Sequence, residues 1–333
     1  MSHALLTSRC ASIPGVLRDA LAAPLPAISR AMREAHRWVV TGTGASEGPA
    51  RLFAWALRRH AGRCAEFVSL STFAANEAPQ GDALAVFSQE LSPNARLGLA
   101  ARSRYAHALL VTATPERPHA RAAALDGVAV CAHPPSSEPS LLLRVIGPAA
   151  ATAACLRVAE ELSERPGEIL SRAVIDALPG AVEKAFREGA RVTEGIPFER
   201  PVALVTAPGD AEAAHGLRWK WLEGTGASDP PCWDVLQFAH GPWQHVVDRA
   251  YTLVTLERHG APSSDLFDRL ASMLDPSRHR LVRARATLPG VAAFFEHDAW
   301  LNAMVCAALP HTGRDLARWP GAGADGALYD LGR

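Results

Sequence analysis

The sequence WVVTGTGASEG at residues 38–48 joins a short apolar, β-rich run to a turn that contains three glycines. The segment that follows, residues 49–60, carries apolar residues at helical spacing. A strand, a glycine turn and a helix in this order are typical of parallel α/β sheets, in which each strand is followed by a helix that covers the sheet. The indicated fold class is therefore α/β.

Strand-like runs alternate with helical patterns in both halves of the chain. In the first half the further strands are expected at residues 67–70, 83–87, 108–112 and 128–132, with a helix at 94–103. In the second half strands are expected at 202–206, 251–256 and 281–286, with helices at 212–224, 264–274 and 291–309. Residues 1–36 and 148–195 have helical patterns, the latter with breaks expected near Pro166 and Pro179.

These patterns divide the chain into five parts. They are an N-terminal helical segment (1–34), a first α/β domain (35–147), a helical connector (148–196), a second α/β domain (197–310) and a C-terminal tail (311–333). The chain has 333 residues, about twice the usual domain length of roughly 150 residues, which agrees with two domains.

Charge and cysteine content narrow the kind of partner. Lys and Arg together number 34, as do Asp and Glu, so the chain has no net field that would gather nucleic acid or an anionic membrane. The six cysteines are widely spaced, which predicts reduced thiols and no metal site. There is no signal-peptide pattern and no apolar run of 18 residues. We therefore expect a cytoplasmic protein with a small-molecule partner and no cofactor.

Two turns follow strands in the first half and are candidates for ligand binding. The first is GTGASEG at residues 42–48, and the second is FSQELSPN at residues 87–94, where Ser92 and Pro93 are suited to begin a helix. Free backbone N–H groups at helix starts attract anions and polar sugar oxygens, and turns on neighbouring strands meet in one crevice. A tight βα turn that needs glycine only for its backbone explains the first turn equally well.

A third group of candidate residues lies in the second half. Lys220 and Glu223 are three residues apart, so they share one face of a helix, where a lysine can keep a carboxylate ionised as a base. An ordinary surface ion pair is the alternative. His240 precedes Gly-Pro in a predicted loop, and a lone histidine is more often a packing or capping residue than a catalyst.

Taken together, the order of these motifs resembles the double sugar isomerase (SIS) family. The order is GTGAS, SQxxSP, KxxE, HGP and a late RDLAR at residues 314–318, and the resemblance covers about residues 35–320. It implies two tandem SIS domains, each a parallel sheet flanked by helices in a flavodoxin-like, three-layer arrangement, joined by the helical connector. It also implies a homodimer with a shared active site.

The resemblance assigns roles to individual residues. Glu223 would move a proton between C1 and C2 of a sugar, His240 would open the sugar ring and reach into the partner subunit's site, and Lys220 would support Glu223. The C-terminal tail would close over the substrate. The substrate-binding set is Gly42, Thr43, Gly44, Ser46, Ser88, Gln89, Glu90, Ser92 and Arg318.

Two departures from the family pattern bear on the substrate. Glu90 and Leu91 stand where the family has a small Ser-Gly pair, so they bring charge and bulk to the place of a phosphate. Two like charges about 4 Å apart repel by roughly 4 kcal/mol at an effective dielectric constant of about 20. An unphosphorylated or amine-bearing sugar is therefore favoured, unless Glu90 points away or Arg144 compensates. Arg318 replaces the tail lysine and cannot form an imine, although it can bind substrate oxygens.

Two functions remain open. The first is an aldose–ketose isomerase, or an amino-sugar deaminase or deglycase, in which one base moves the proton next to a carbonyl or imine. The second is a non-catalytic SIS protein that senses a sugar or sugar phosphate and regulates a partner. Retention of Glu223, His240 and Lys220 favours the enzyme, whereas the altered turn and Arg318 favour the sensor.

Overall fold

The computed structural model describes residues 2–135, 137–165, 167–194, 196, 198–260 and 263–332. They form two compact units. The first-sheet unit comprises Gly15–Ile175 and Arg318–Arg333, and the second-sheet unit comprises Met1–Pro14 and Asp176–Ala317. Each unit is therefore built from two separate stretches of the chain.

The strands of the two sheets are β1 (Arg37–Gly42), β2 (Cys64–Phe67), β3 (Ala83–Phe87), β4 (His107–Thr112), β5 (Ala129–Ala132), β6 (Val202–Thr206), β7 (Cys232–Asp234), β8 (Tyr251–Glu257) and β9 (His279–Arg285). The helices in the first half of the chain are α1 (Ser2–Ala22), α2 (Arg30–Glu34), α3 (Glu47–Arg59), α4 (Leu70–Ala74), α5 (Pro93–Ala100), α6 (Pro118–Leu125) and α7 (Ile146–Leu162). Those in the second half are α8 (Arg172–Thr193), α9 (Ala211–Ala214), α10 (Arg218–Thr225), α11 (Val235–Phe238), α12 (Pro242–Val246), α13 (Ser264–Met273), α14 (Ala293–Thr312) and α15 (Gly326–Tyr329).

The first sheet is parallel and has the order β2-β1-β3-β4-β5. This is the flavodoxin-like order. Successive side chains of a strand point to opposite faces. Val39 accordingly belongs to a buried cluster that includes residues of α4, α5 and α6, while Trp38 packs edge-on against Phe53 of α3. Helices thus cover both faces of this sheet.

The second sheet is also parallel, with the order β7-β6-β8-β9. Its buried cluster joins residues of β6 and β8, such as Val205 and Leu253, to Phe238 of α11 and Phe267 of α13. The alternation of strand-like runs with helical patterns therefore produces two parallel sheets flanked by helices, as predicted.

Four local predictions need correction. The helical run expected over residues 1–36 is interrupted between Ala22 and Arg30, where Pro24 and Pro26 cannot continue a helix, and it resumes in α2. The strand expected at residues 67–70 lies at β2 instead, and β7 was not expected at all. Helix α8 continues through Pro179, which lies inside it and is buried, so burial of one apolar face outweighs the missing hydrogen bond there. The break expected at Pro166 falls outside the described residues.

Candidate functional site

A pocket of about 410 Å³ lies in the first-sheet unit, where the turns after β1 and β3 meet. Its lining includes most of the residues that the sequence assigned to ligand binding in this half: Thr43, Gly44, Ser46, Ser88, Gln89, Glu90 and Ser92. The carboxyl ends of neighbouring parallel strands share one edge of a sheet, which explains why two turns distant in sequence form one crevice. We call this crevice the arginine pocket, because Arg96, Arg117 and Arg144 also line it.

The first turn needs glycine for two reasons. A Cβ at Gly42 would lie 2.8 Å from the carbonyl oxygen of Ser46, which no ordinary side chain tolerates. Gly44 has φ +54°, in the left-handed region that favours glycine. Gly42 itself does not line the pocket but lets the turn fold back tightly, so that Thr43 and Ser46 reach the lining.

The second turn begins helix α5 at Pro93, with Ser92 at the N-cap position, as expected. The hydroxyl of Ser92 makes no capping hydrogen bond. Instead, the Ser92 backbone N–H donates to the Ser88 hydroxyl at 3.1 Å. This contact closes the turn and leaves the Ser92 side chain in the pocket lining.

The bulk expected from Leu91 is accommodated by the core. Leu91 has φ +52° and is only 2% exposed, and its side chain belongs to the cluster beneath α4, α5 and α6. Leu91 is nevertheless among the residues that line the arginine pocket, so the expectation that its bulk occupies the place of a phosphate stays a prediction. A non-glycine residue in the left-handed region costs about 1–2 kcal/mol, which burial of the leucine side chain offsets.

The charge expected from Glu90 is compensated by two arginines. Glu90 Oε2 lies 3.6 Å from Arg117 Nη2, and Glu90 Oε1 lies 3.9 Å from Arg144 Nη2. The third guanidinium in the lining is that of Arg96. With three guanidinium groups and one carboxylate, the lining carries a formal excess of two positive charges.

Several donors of this pocket have no partner within the described part of the chain. They are the buried atoms Arg96 Nε, Arg144 Nη1 and Gln89 Nε2. Buried polar atoms are nearly always hydrogen-bonded, so unpaired donors of one cluster indicate a site for an acceptor. Sequence reasoning missed Arg96 and Arg117, although the position of Arg96 in the first turn of α5 was a usable signal.

Behind Gln89 lies a second, very small cavity of about 10 Å³, enough for roughly one water molecule. Gly147 of α7 and His133 line it, and a Cβ at Gly147 would collide with the Gln89 amide. Burial lowers the pKa of His133, while its hydrogen bond to the Pro134 carbonyl opposes that shift. Burial thus favours the neutral form of the His133 imidazole.

The C-terminal tail lies against the same pocket. Asn94 Nδ2 donates to the Leu328 carbonyl at 2.8 Å, and Asn94 Oδ1 accepts from the Leu331 N–H at 3.2 Å. Tyr329, between these two anchors, lines the arginine pocket. Arg318, which the resemblance placed at the substrate, is exposed and is not among the lining residues.

The three residues predicted to be catalytic lie in the second-sheet unit. Glu223 lies on α10 and is half-buried, and His240 is exposed in the turn between α11 and α12. Lys220 is 5% exposed, and its Nζ lies 2.9 Å from Asn302 Oδ1 and 3.0 Å from Asp298 Oδ1. Both partners belong to α14, so Lys220 has a partly buried counter-ion, Asp298, other than Glu223.

All six cysteines are free thiols, and Cys10 and Cys306 lie in contact, with 3.9 Å between their sulfurs. The parts of the chain described above contain no group of three or more His, Cys, Asp or Glu side chains suited to a metal ion. None of the helices described there has both the length and the apolar character required to cross a membrane.

No protein-family model matches the sequence, and a search of the curated proteins found no significant match. Solved structures do match. The C-terminal domain of glucosamine-fructose-6-phosphate aminotransferase from Francisella tularensis has 12% sequence identity and a TM-score of 0.75, over 94% of this chain and 97% of that one. Glucosamine-6-phosphate deaminase from Thermotoga maritima has 12% identity and a TM-score of 0.72, over 95% and 97%.

Tagatose-6-phosphate ketose/aldose isomerase from Escherichia coli has 17% identity and a TM-score of 0.72, over 94% of each chain. All three matches extend over nearly the full length of both chains. The resemblance that the order of motifs implied is confirmed at the level of the fold: this chain has the fold of phosphosugar isomerases and deaminases.

Proposed function

We propose that the protein is an enzyme of the sugar isomerase type, an aldose–ketose isomerase or an amino-sugar deaminase or deglycase, whose substrate carries an anionic group. The arginine pocket carries this proposal. It combines the two turns that the sequence singled out with an excess of two positive charges and unpaired donors. The sequence favoured an unphosphorylated sugar unless Arg144 compensated Glu90. Since Arg117 and Arg144 both lie beside Glu90, a phosphorylated sugar becomes the better proposal.

The reaction needs one base that removes a proton next to a carbonyl or imine and returns it to the neighbouring carbon. We assign this step to Glu223 and ring opening to His240. The imidazolium of His240 would donate its proton to the ring oxygen, while a water molecule accepts the proton of the anomeric hydroxyl. The solvent-exposed position of His240 suits a residue that contributes to a partner subunit's site. Arg318 would bind substrate oxygens if the tail folds over the ligand.

The same proposal includes the assembly, location and domain organisation of the protein. The protein would be a cytoplasmic homodimer with a shared active site. Each chain would hold two tandem sugar isomerase domains, at residues 35–147 and 197–310, joined by a helical connector, and a tail at 311–333 that closes the site. The docking of Leu328 and Leu331 on Asn94 supports the last of these.

Exchange of the substrate's C2 proton with deuterated water tests the enzyme. A panel of hexose 6-phosphates and amino-hexose 6-phosphates is incubated with the protein and followed by NMR. We expect exchange with at least one member, and Glu223→Gln should abolish it. Glu188→Gln on α8 removes an exposed carboxylate and serves as the control, which should exchange normally.

A sensor that binds sugar phosphate without turning it over is the second candidate. The pairing of Lys220 with Asp298 favours it, because an ammonium that is already neutralised has less to offer Glu223. Sugar phosphates that bind the arginine pocket and never exchange their C2 proton would decide for the sensor.

A further inference from the structure

Glu90 occupies an unusual place in the arginine pocket. Its carboxylate lies between the guanidinium groups of Arg117 and Arg144, with one oxygen directed at each. Arg117 is fixed from a second side, because its Nη1 donates to the Glu90 carbonyl at 2.9 Å. The carboxylate is therefore an anion that these two arginines hold within the chain.

The two ion pairs are loose. Their distances, 3.6 and 3.9 Å, exceed the roughly 2.7–2.9 Å of a tight charge-assisted hydrogen bond. Arg144 also keeps one buried nitrogen without a partner, as does Arg96. The cluster thus offers more donors and more positive charge than one carboxylate satisfies.

We propose that Glu90 is an internal counter-ion that a doubly charged group of the substrate must displace, and that it thereby makes the pocket selective for dianions over monoanions. This inference rests on the proposed function of the arginine pocket. It changes the role expected for Glu90 from the sequence: the side chain competes with the substrate and does not bind it.

The selectivity of the pocket for dianions follows from the charge of the group that replaces the Glu90 carboxylate beside the arginines. A monoanion that displaces Glu90 replaces one carboxylate charge by another single charge, so it gains little from the arginines. A phosphate monoester carries a charge close to −2 above its second pKa of about 6 and brings three acceptor oxygens, so it can satisfy donors that Glu90 leaves unpaired. Only the dianion gains enough to displace the carboxylate.

Methyl phosphate and dimethyl phosphate test this directly, because they have similar shapes but carry two charges and one charge at pH 8. Binding to the full chain is measured by isothermal titration calorimetry at low ionic strength. We expect the wild type to bind methyl phosphate and to bind dimethyl phosphate far more weakly. Glu90→Gln should tighten methyl phosphate binding by about tenfold, as expected for the loss of two partly exposed ion pairs. It should also make dimethyl phosphate binding measurable.

Two further variants make the test specific. Arg144→Gln should weaken methyl phosphate binding. Glu116→Gln, an exposed carboxylate next to Arg117 in sequence, changes the net charge equally and should bind like the wild type. Glu90→Ala provides a second substitution, and circular dichroism checks that each variant is folded.

The outcomes separate the two proposals. If Glu90→Gln and Glu90→Ala bind methyl phosphate no better than the wild type, the counter-ion role is refuted while the arginine pocket stands. If the wild type and every variant fail to bind methyl phosphate, the proposed anion site is refuted, and the inference with it.

Discussion

The buried ammonium of Lys220 provides the sharpest test of the second-sheet unit. Lys220→Met keeps most of the side-chain length but removes the charge that faces Asp298 at 3.0 Å. Removing one partner of a buried ion pair costs about 3–5 kcal/mol, because the other charge remains buried without its partner. The side chain of Asp298 is 18% exposed and still accepts a hydrogen bond from Asn302 Nδ2 at 3.1 Å. We therefore expect Lys220→Met to lower the unfolding free energy by about 3 kcal/mol, the lower end of this range.

A double-mutant cycle separates this electrostatic effect from loss of packing. Asp298→Asn alone should also destabilise, since it leaves the ammonium with neutral partners. The double variant Lys220→Met and Asp298→Asn should lose unfolding free energy that is about 2 kcal/mol smaller than the sum of the losses in the two single variants, as expected for directly coupled residues. Urea unfolding at pH 7, followed by circular dichroism, measures all four proteins.

The cycle also bears on catalysis. The result to look for is a loss of less than about 1 kcal/mol of unfolding free energy in Lys220→Met, which is the range of exposed ion pairs. If the effects of the two substitutions also add in the double variant, the pair of Lys220 and Asp298 is refuted as a stabilising contact. C2-proton exchange by the folded Lys220→Met protein would show whether the ammonium is needed for the reaction.

Two further predictions concern stability. Leu91→Gly should relieve about 1 kcal/mol of left-handed backbone strain. It should also remove a leucine side chain that is 2% exposed, which costs about 2–5 kcal/mol, so urea unfolding should show a net loss of unfolding free energy. A neutral or stabilising result would mean that the side chain is not packed in the core. Burial lowers the pKa of His297 from 6.5 to about 4, opposed by a hydrogen bond to the Glu257 carbonyl, so the unfolded chain binds a proton at a higher pH than the native protein. The unfolding free energy should therefore fall by up to about 3 kcal/mol as the pH is lowered from 6.5 to 4, and His297→Gln should flatten that part of the pH profile. An unchanged slope in His297→Gln would contradict the assignment of this loss to His297.

The sequence by itself determined the parallel α/β class and the meeting of the turns after β1 and β3 in one crevice. A β-rich run, a glycine turn and an amphipathic helix are local signals, so β1, its turn and α3 were predictable from a short window. The two turns were also expected to meet, because parallel strands with helical crossovers bring their carboxyl ends to one edge. Ser88 and Gln89 accordingly line the same pocket as Thr43 and Ser46 of the first turn.

The tertiary structure alone decided what surrounds those residues. Arg96, Arg117 and Arg144 come from a helix and two loops, and nothing in their spacing shows that they line one pocket. The direction of the Leu91 side chain depends on a positive φ that the sequence does not reveal. Lys220 likewise selects Asp298, 78 residues further along the chain, over its neighbour on the same helix. Strand and helix formation follows from local periodicity, whereas the partner of a charged side chain is fixed only when distant segments pack and exclude water around it.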